Sequence, residues 1–259
     1  MDNHELYALL KSTEAKKNFI PKPQEIFLKI GESIIGTAGN FIVYSGLPKT
    51  GKSTFINAAL ASSMSEEYWI FKHQLKKGLE VGYFDTESSE SDFYNNRDRI
   101  KFMAKKESLS DHIRMFSTRE HDSIINKHLI ECYLATSGSK IVVIDGLLDI
   151  INDFNDIRES KETIQWLKRL THEYNCLIIG VIHLGKKDNH TLGHFGSMLD
   201  RYAQSVLEVK RDFENNIYSL TPKLLRTAKE WFTEICVQWN GENYIEVLPM
   251  PPPPQKAKR

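Results

Sequence analysis

The spacing of apolar positions changes several times along the chain, and each change predicts an element. Leu6, Leu9 and Leu10 recur at helical spacing inside a lysine-rich stretch. They predict a short helix within residues 1–20, which Pro21 and Pro23 end. Residues 24–36 are richer in apolar side chains (Ile26, Phe27, Ile30, Ile34, Ile35), and Gly36, Gly39 and Asn40 predict a turn into the next element. Phe41-Ile-Val-Tyr-Ser is a β-type run, and the segment of about 53–64 has helical spacing. A polar loop then leads to a strand over Leu79–Asp85, a charged helix over 89–106, a strand over 112–117 and a helix over 120–136. Lys140–Asp145 and Cys176–His183 are continuous apolar runs, as parallel strands covered on both faces require. Between them residues 157–174 are amphipathic, with Ile164, Leu167 and Leu170 on one face.

Strands that alternate with helices predict a mostly parallel central sheet with right-handed crossovers and helices on its faces. Beyond about residue 204 the pattern becomes short and alternating, at Val206–Val209, Ile217–Leu220, Ile235–Trp239 and Tyr244–Val247. These segments predict antiparallel strands at one edge of the sheet. The tail Pro249–Arg259 is Pro-rich and then basic, which predicts an extended or disordered end. The expected organisation is a helical arm over 1–23, one α/β domain over 24–248 and a tail over 249–259.

The run that ends at Ser45 opens into Gly46-Leu-Pro48-Lys49-Thr50-Gly51-Lys52-Ser53-Thr54, which is GxxxxGK[ST] between a strand and a helix. In that context the pattern predicts a phosphate-binding P-loop. Gly46 and Gly51 let the backbone turn so that N–H groups point at phosphate oxygens, and the following helix adds its positive end. Pro48, Lys49, Thr50 and Thr54 complete the binding loop. Lys52 reaches the terminal phosphates, and Ser53 offers a hard oxygen to Mg²⁺.

Asp145 closes a buried strand at the carboxyl edge of the sheet, where open α/β folds place ligands, and so predicts a second metal-holding group. Gly146 follows it, so no acid stands beside it. Glu87, just past the strand that ends in Phe84-Asp85-Thr86, is the predicted base that orients water, with Asp85 as the fallback.

The P-loop, the Phe-Asp-Thr-Glu strand end, the lone Asp145 and the polar His183 at a later strand end together resemble the RecA-like ATPases. Within them, the last third of the chain is similar to RepA-type hexameric helicase ATPases of plasmids and mobile elements. The resemblance spans about residues 20–247. It implies Mg²⁺-dependent ATP hydrolysis in a homo-oligomeric ring, often a hexamer, coupled to single-stranded DNA. It implies that His183 senses the γ-phosphate. In the Gly-rich loop 184–196 it implies that Lys186 and Lys187 contact DNA phosphates and Phe195 stacks on a base. Arg226, or else Lys223, would reach the neighbouring subunit's γ-phosphate, although the segment lacks a clean Lys-x-Arg-x-Gly pattern. The alternative is a regulatory ATPase of the same fold that acts on a protein partner.

Composition narrows this little. The 259 residues carry 34 basic and 34 acidic side chains, so a uniformly basic surface is excluded, though not a basic strip. Cys132, Cys176 and Cys236 are far apart and odd in number; they predict small buried hydrophobes rather than a disulfide framework. Met1-Asp-Asn-His-Glu is too polar for a signal peptide, and no apolar run approaches about 20 residues. A cytoplasmic protein without a membrane span is expected.

Overall fold

The computed structural model describes residues 2–15, 20, 23–65, 73–76, 78–185, 193–227, 231–239 and 245–247. The expected tail at 249–259 lies outside these residues, as do Lys186, Lys187 and part of the expected arm.

Helix α1 (Asn3–Thr13) comes first, followed by strands β1 (Ile26–Ile30), β2 (Ser33–Thr37) and β3 (Asn40–Gly46). Helix α2 (Lys52–Met64) precedes β4 (His73–Leu75) and β5 (Val81–Asp85). Then come α3 (Glu90–Met103), β6 (Ile113–Ser117), α4 (Ser123–Ser137) and β7 (Ile141–Asp145). A single 3-10 turn (Leu147–Ile150) leads to α5 (Ile157–Glu173), β8 (Leu177–His183) and α6 (Gly193–Tyr202). The chain closes with β9 (Ser205–Asp212), β10 (Ile217–Leu225), β11 (Ile235–Trp239) and β12 (Ile245–Val247).

Nine strands form the main sheet in the order β12-β11-β10-β9-β3-β8-β7-β5-β6. From β9 to β6 all neighbours are parallel, whereas β10, β11 and β12 add antiparallel. The predicted α/β architecture with antiparallel edge strands is therefore the one observed. Every residue of β5 and β7 is buried, which explains their unbroken apolar runs. One core lies on the α2 face of the sheet, built around Tyr44, Phe55, Tyr83 and Ile179. The other holds α4, α5 and α6 through Ile130, Leu167 and Leu199.

Three readings change. Residues 24–36 form two strands that build a separate small sheet, β2-β1-β4, and Gly36 lies inside β2; the turn falls at Ala38–Gly39. The segment expected as a loop to residue 196 becomes α6 from Gly193, because Phe195 and Leu199 are buried one helical turn apart. The strand expected over Ile217–Leu220 runs on to Leu225, with a register shift between Pro222 and Leu224, where the ring nitrogen of Pro222 cannot donate.

Candidate nucleotide-binding site

The carboxyl edge of the parallel strands gathers the chemistry. Parallel pairing sets Asp85 opposite Asp145, and Gly46 opposite His183. The strand ends thus bring four positions to one edge of the sheet from segments far apart in sequence, with Asp145 opposite Val181 and His183 two residues beyond that level.

Between β3 and α2 the chain makes a tight loop. Lys49 and Gly51 both take positive φ, 64° and 92°. A Cβ at Gly46 would lie 2.3 Å from the Val209 carbonyl oxygen, and one at Gly51 would lie 2.6 Å from the Tyr218 ring. Glycine is therefore required at both positions by close approach, and at Gly51 also by backbone conformation. Thr50 Oγ1 donates to the Leu47 carbonyl at 2.8 Å and ties the loop internally.

Lys52 is buried. Its Nζ donates to the carbonyls of Gly46 (3.1 Å) and Leu47 (2.9 Å) and stands 3.0 Å from His183 Nδ1. An ammonium has only donors, so Nδ1 accepts. His183 then carries its proton on Nε2, which donates to Glu87 Oε2 at 3.0 Å. The three side chains form one hydrogen-bonded line, Lys52–His183–Glu87. Burial lowers the Lys52 ammonium to about 8, against the opposing pull of Glu87 and Asp145.

Ser53 Oγ donates to Asp145 Oδ2 at 2.8 Å, and the Tyr83 hydroxyl donates to the same oxygen. Burial pushes the Asp145 carboxyl up to about 6; the hydrogen bond from Tyr83 works against this, and Asp85 and Glu87 add to it. Burial also drives the Tyr83 hydroxyl well above its ordinary value. Asp85 accepts from the backbone N–H groups of Glu87 (3.1 Å) and Ser88 (2.8 Å) through Oδ1, and so fixes the turn that presents Glu87. Its Oδ2 is buried with no partner among the described residues. The hydroxyl of Ser53, the raised carboxyl of Asp145 and this orphaned oxygen form a hard-oxygen donor set that fits Mg²⁺. Among the described residues there is no cluster of three or more His, Cys, Asp or Glu side chains able to hold a metal.

Lys52, Ser53, Glu87, Asp145 and His183 line one cavity of about 480 Å³. Sequence reasoning missed its other wall. Arg211 and Tyr218, from the β9–β10 hairpin, line it together with Asn95 and Arg99 of α3. Arg211 lies 4.8 Å from the Tyr218 ring and 4.9 Å from the Phe213 ring, and donates to the Lys49 carbonyl at 3.3 Å. The alternating pattern of this hairpin marks strands but carries no sign that its turn folds back over the P-loop.

Other predicted residues fall elsewhere. Phe195 is fully buried in the core beneath α6, so the base-stacking role expected for it is not available. Helix formation over Gly193–Tyr202 turns this ring inward. Arg226 donates through Nε to the Ala203 carbonyl at 3.0 Å and through Nη2 to that of Arg201, closing the end of α6. Lys223 pairs with Asp200 at 2.8 Å. Neither lines the cavity. Of the three cysteines only Cys176 is buried; Cys132 is exposed and Cys236 half-buried, which corrects the expectation for those two. No helix among the described residues is long and apolar enough to cross a membrane.

Fold and cavity together define a P-loop protein of the RecA-like ATPase class. A family model described as an AAA domain matches residues 12–189, well over half the chain, and the chain belongs to this family. Among solved structures it is similar to a KaiC-like protein from the hyperthermophilic archaeon Pyrococcus horikoshii OT3. That likeness has a TM-score of 0.56 and 18% identity, and covers 82% of this chain and 91% of the other. At this identity it speaks for the fold alone. No curated protein matches by sequence.

Proposed function

We propose that the chain is a Mg²⁺-dependent ATPase that works as a homo-oligomeric ring. The observation that carries this reading is the convergence of the Lys52–His183–Glu87 line and the Ser53–Asp145 pair in one cavity beside the P-loop. The triphosphate enters along the loop, and Lys52 exchanges the Gly46 and Leu47 carbonyls for phosphate oxygens. His183 loses the donor to its Nδ1 in that exchange, and its Nε2–H turns from Glu87 to an oxygen of the terminal phosphate, which frees Glu87 from its own bond. Ser53 and Asp145, with Asp85 nearby, are the groups that would hold Mg²⁺, which neutralises charge on the transferring phosphoryl oxygens. Glu87 takes a proton from water as the water oxygen bonds to the γ-phosphorus; the bond to the β-bridging oxygen breaks and ADP leaves with the electron pair. Arg211 and Tyr218 offer the nucleoside end a cationic and aromatic wall.

Residues 24–248 form the ATPase domain in this reading. Arg226, or else Lys223, serves a neighbouring subunit, first releasing its present partner. The finer assignment, coupling to single-stranded DNA in the manner of RepA-type helicases, rests on Lys186 and Lys187. The alternative, a regulatory ATPase that acts on a protein partner, is favoured by one specific finding: the buried Phe195 removes the only stacking residue of the DNA reading.

The test is turnover with ATP and Mg²⁺. Glu87→Gln should retain ATP binding and lose hydrolysis, and hydrolysis at the wild-type rate would remove Glu87 as the base. A several-fold rise in turnover with single-stranded oligonucleotide selects the DNA reading; an unchanged rate selects the protein partner.

A further inference from the structure

The turn that presents Glu87 is held at more than one point. Asp85 Oδ1 takes the N–H groups that follow Thr86. Thr86 itself is buried, and its N–H donates to the Asp145 carbonyl at 3.2 Å. Its hydroxyl has three acceptors in reach: Asp149 Oδ2 at 2.7 Å, the Asp145 carbonyl at 3.0 Å and the Gly146 carbonyl at 3.2 Å. A hydroxyl carries one proton. The shortest approach leads to a carboxylate, and a bond to a charged acceptor is roughly twice as strong as one between neutral groups, so Asp149 takes that proton's bond.

Asp149 belongs to the 3-10 turn that follows β7, and its own N–H donates to the Gly146 carbonyl at 3.1 Å. This turn folds the chain back against the neighbouring strand end. A Cβ on Gly146 would lie 2.0 Å from Thr86 Oγ1, 2.8 Å from Asp149 Oδ2 and 2.9 Å from Glu87 Cγ. Three side chains thus crowd one point, and the missing side chain of Gly146 leaves them room. Burial raises the half-buried Asp149 carboxyl; the Thr86 bond works against this, and the nearby Glu87 adds to it. Neither Thr86 nor Asp149 lines the nucleotide cavity. The pair therefore touches the segment that carries the base without touching the space the nucleotide fills.

We propose that Asp149 and Thr86 are positioning residues for the water-activating acid: Asp149 anchors the Thr86 hydroxyl, and the anchored Thr86 holds the backbone from which Glu87 reaches into the cavity. His183 is the one side chain bonded to Glu87 among the described residues. Once His183 turns to the phosphate, the aim of Glu87 depends on its backbone. Asp85 fixes the N–H groups after Thr86, and Asp149 fixes the side chain of Thr86 itself, so the segment keeps its arrangement through the exchange. The inference rests on the ATPase reading and deepens it by naming what holds the base.

Steady-state turnover of ATP with Mg²⁺, paired with calorimetric ATP affinity, tests this on the full chain. Asp149→Ala should lower kcat at least about tenfold, because a group misplaced by about 1 Å can cost about 100-fold. Its ATP affinity should stay within about twofold of wild type, the pattern of an interaction that matters only in the transition state. Thr86→Val keeps the side-chain shape, loses the hydroxyl and should behave alike. The double variant should be no slower than the slower single one, since both remove the same anchor. Two conservative variants keep the bond and the packing, and each should recover most of the loss: Asp149→Asn, whose amide oxygen still accepts from Thr86, and Thr86→Ser, whose hydroxyl still donates. Asp149→Asn as slow as Asp149→Ala would overturn the anchor, because the charge and not the bond would then matter. Losses that multiply in the double variant, or affinity that falls in step with kcat, would overturn it too. Turnover that is lost in Glu87→Gln and kept in Asp149→Ala removes this inference alone. A wild-type chain that does not hydrolyse ATP removes the ATPase reading, and the inference with it.

Discussion

Asp145→Asn should make the nucleotide-free protein more stable at neutral pH while it destroys turnover. Asp145 is buried, and its carboxyl titrates at about 6 in the folded chain against 3.8 for the ordinary group. The folded state therefore holds this proton more tightly than the unfolded state. Below pH 4 both states are protonated and the group costs nothing. As the pH rises from 4 to 6 the unfolded chain ionises first, and stability falls; above 6 the whole penalty is present. The difference corresponds to about 3 kcal/mol, from about 1.4 kcal/mol for each tenfold change in proton affinity. Asparagine mimics the protonated acid, and its amide oxygen still accepts from Ser53 and Tyr83, which both donate to one oxygen of Asp145. Urea denaturation in the presence of EDTA, from pH 4 to pH 8, measures the effect. The variant should exceed the wild type by up to about 3 kcal/mol at pH 8, and the gain should disappear toward pH 4. In melting temperature this is about 2 to 4 °C per kcal/mol for a chain near this size. Titrating groups that do not interact with Asp145 cancel in the difference between the two proteins. A variant less stable than the wild type at pH 8, or a gain independent of pH, would refute the reasoning.

Lys52→Ala should abolish nucleotide binding by calorimetry, and because Lys52 titrates near 8, ATP affinity of the wild type should weaken as the pH rises through 8 and the ammonium loses its proton. Gly146→Ala should destabilise the chain by at least about 2 kcal/mol in chemical denaturation, since φ is 125° and a Cβ would lie 2.0 Å from Thr86 Oγ1 and 2.9 Å from Glu87 Cγ. Arg226→Ala should cost about 1 kcal/mol through the lost closure of α6. If Arg226 also serves a neighbouring subunit, turnover falls at least tenfold while ATP affinity holds; turnover equal to wild type confines it to the fold.

The P-loop, Asp145 and Glu87 were legible because their signals are local: a fixed spacing, or an acid that ends an apolar run. The parallel half of the sheet was legible for the same reason, since strands buried on both faces read as continuous runs. What escaped depends on contacts between distant segments. Tyr83 reads as one more apolar residue of β5, and only pairing with β7 sets its hydroxyl on Asp145. Arg211 lies on an ordinary hairpin, and its place over Lys49 follows from β9 pairing beside β3. The buried side of α6 was hidden because Gly193 and Gly196 suggested a loop, while tertiary packing of Phe195 and Leu199 overrode that preference.

Gly46 sits under the Val209 carbonyl and Gly51 under the Tyr218 ring, so the phosphate loop has a roof made by the late antiparallel ribbon. Neither glycine has room for a side chain beneath that roof. A truncation ahead of Ser205 would strip this cover together with the strand that pairs with β3, and anything that grips the ribbon from outside acquires a handle on the grip for phosphate.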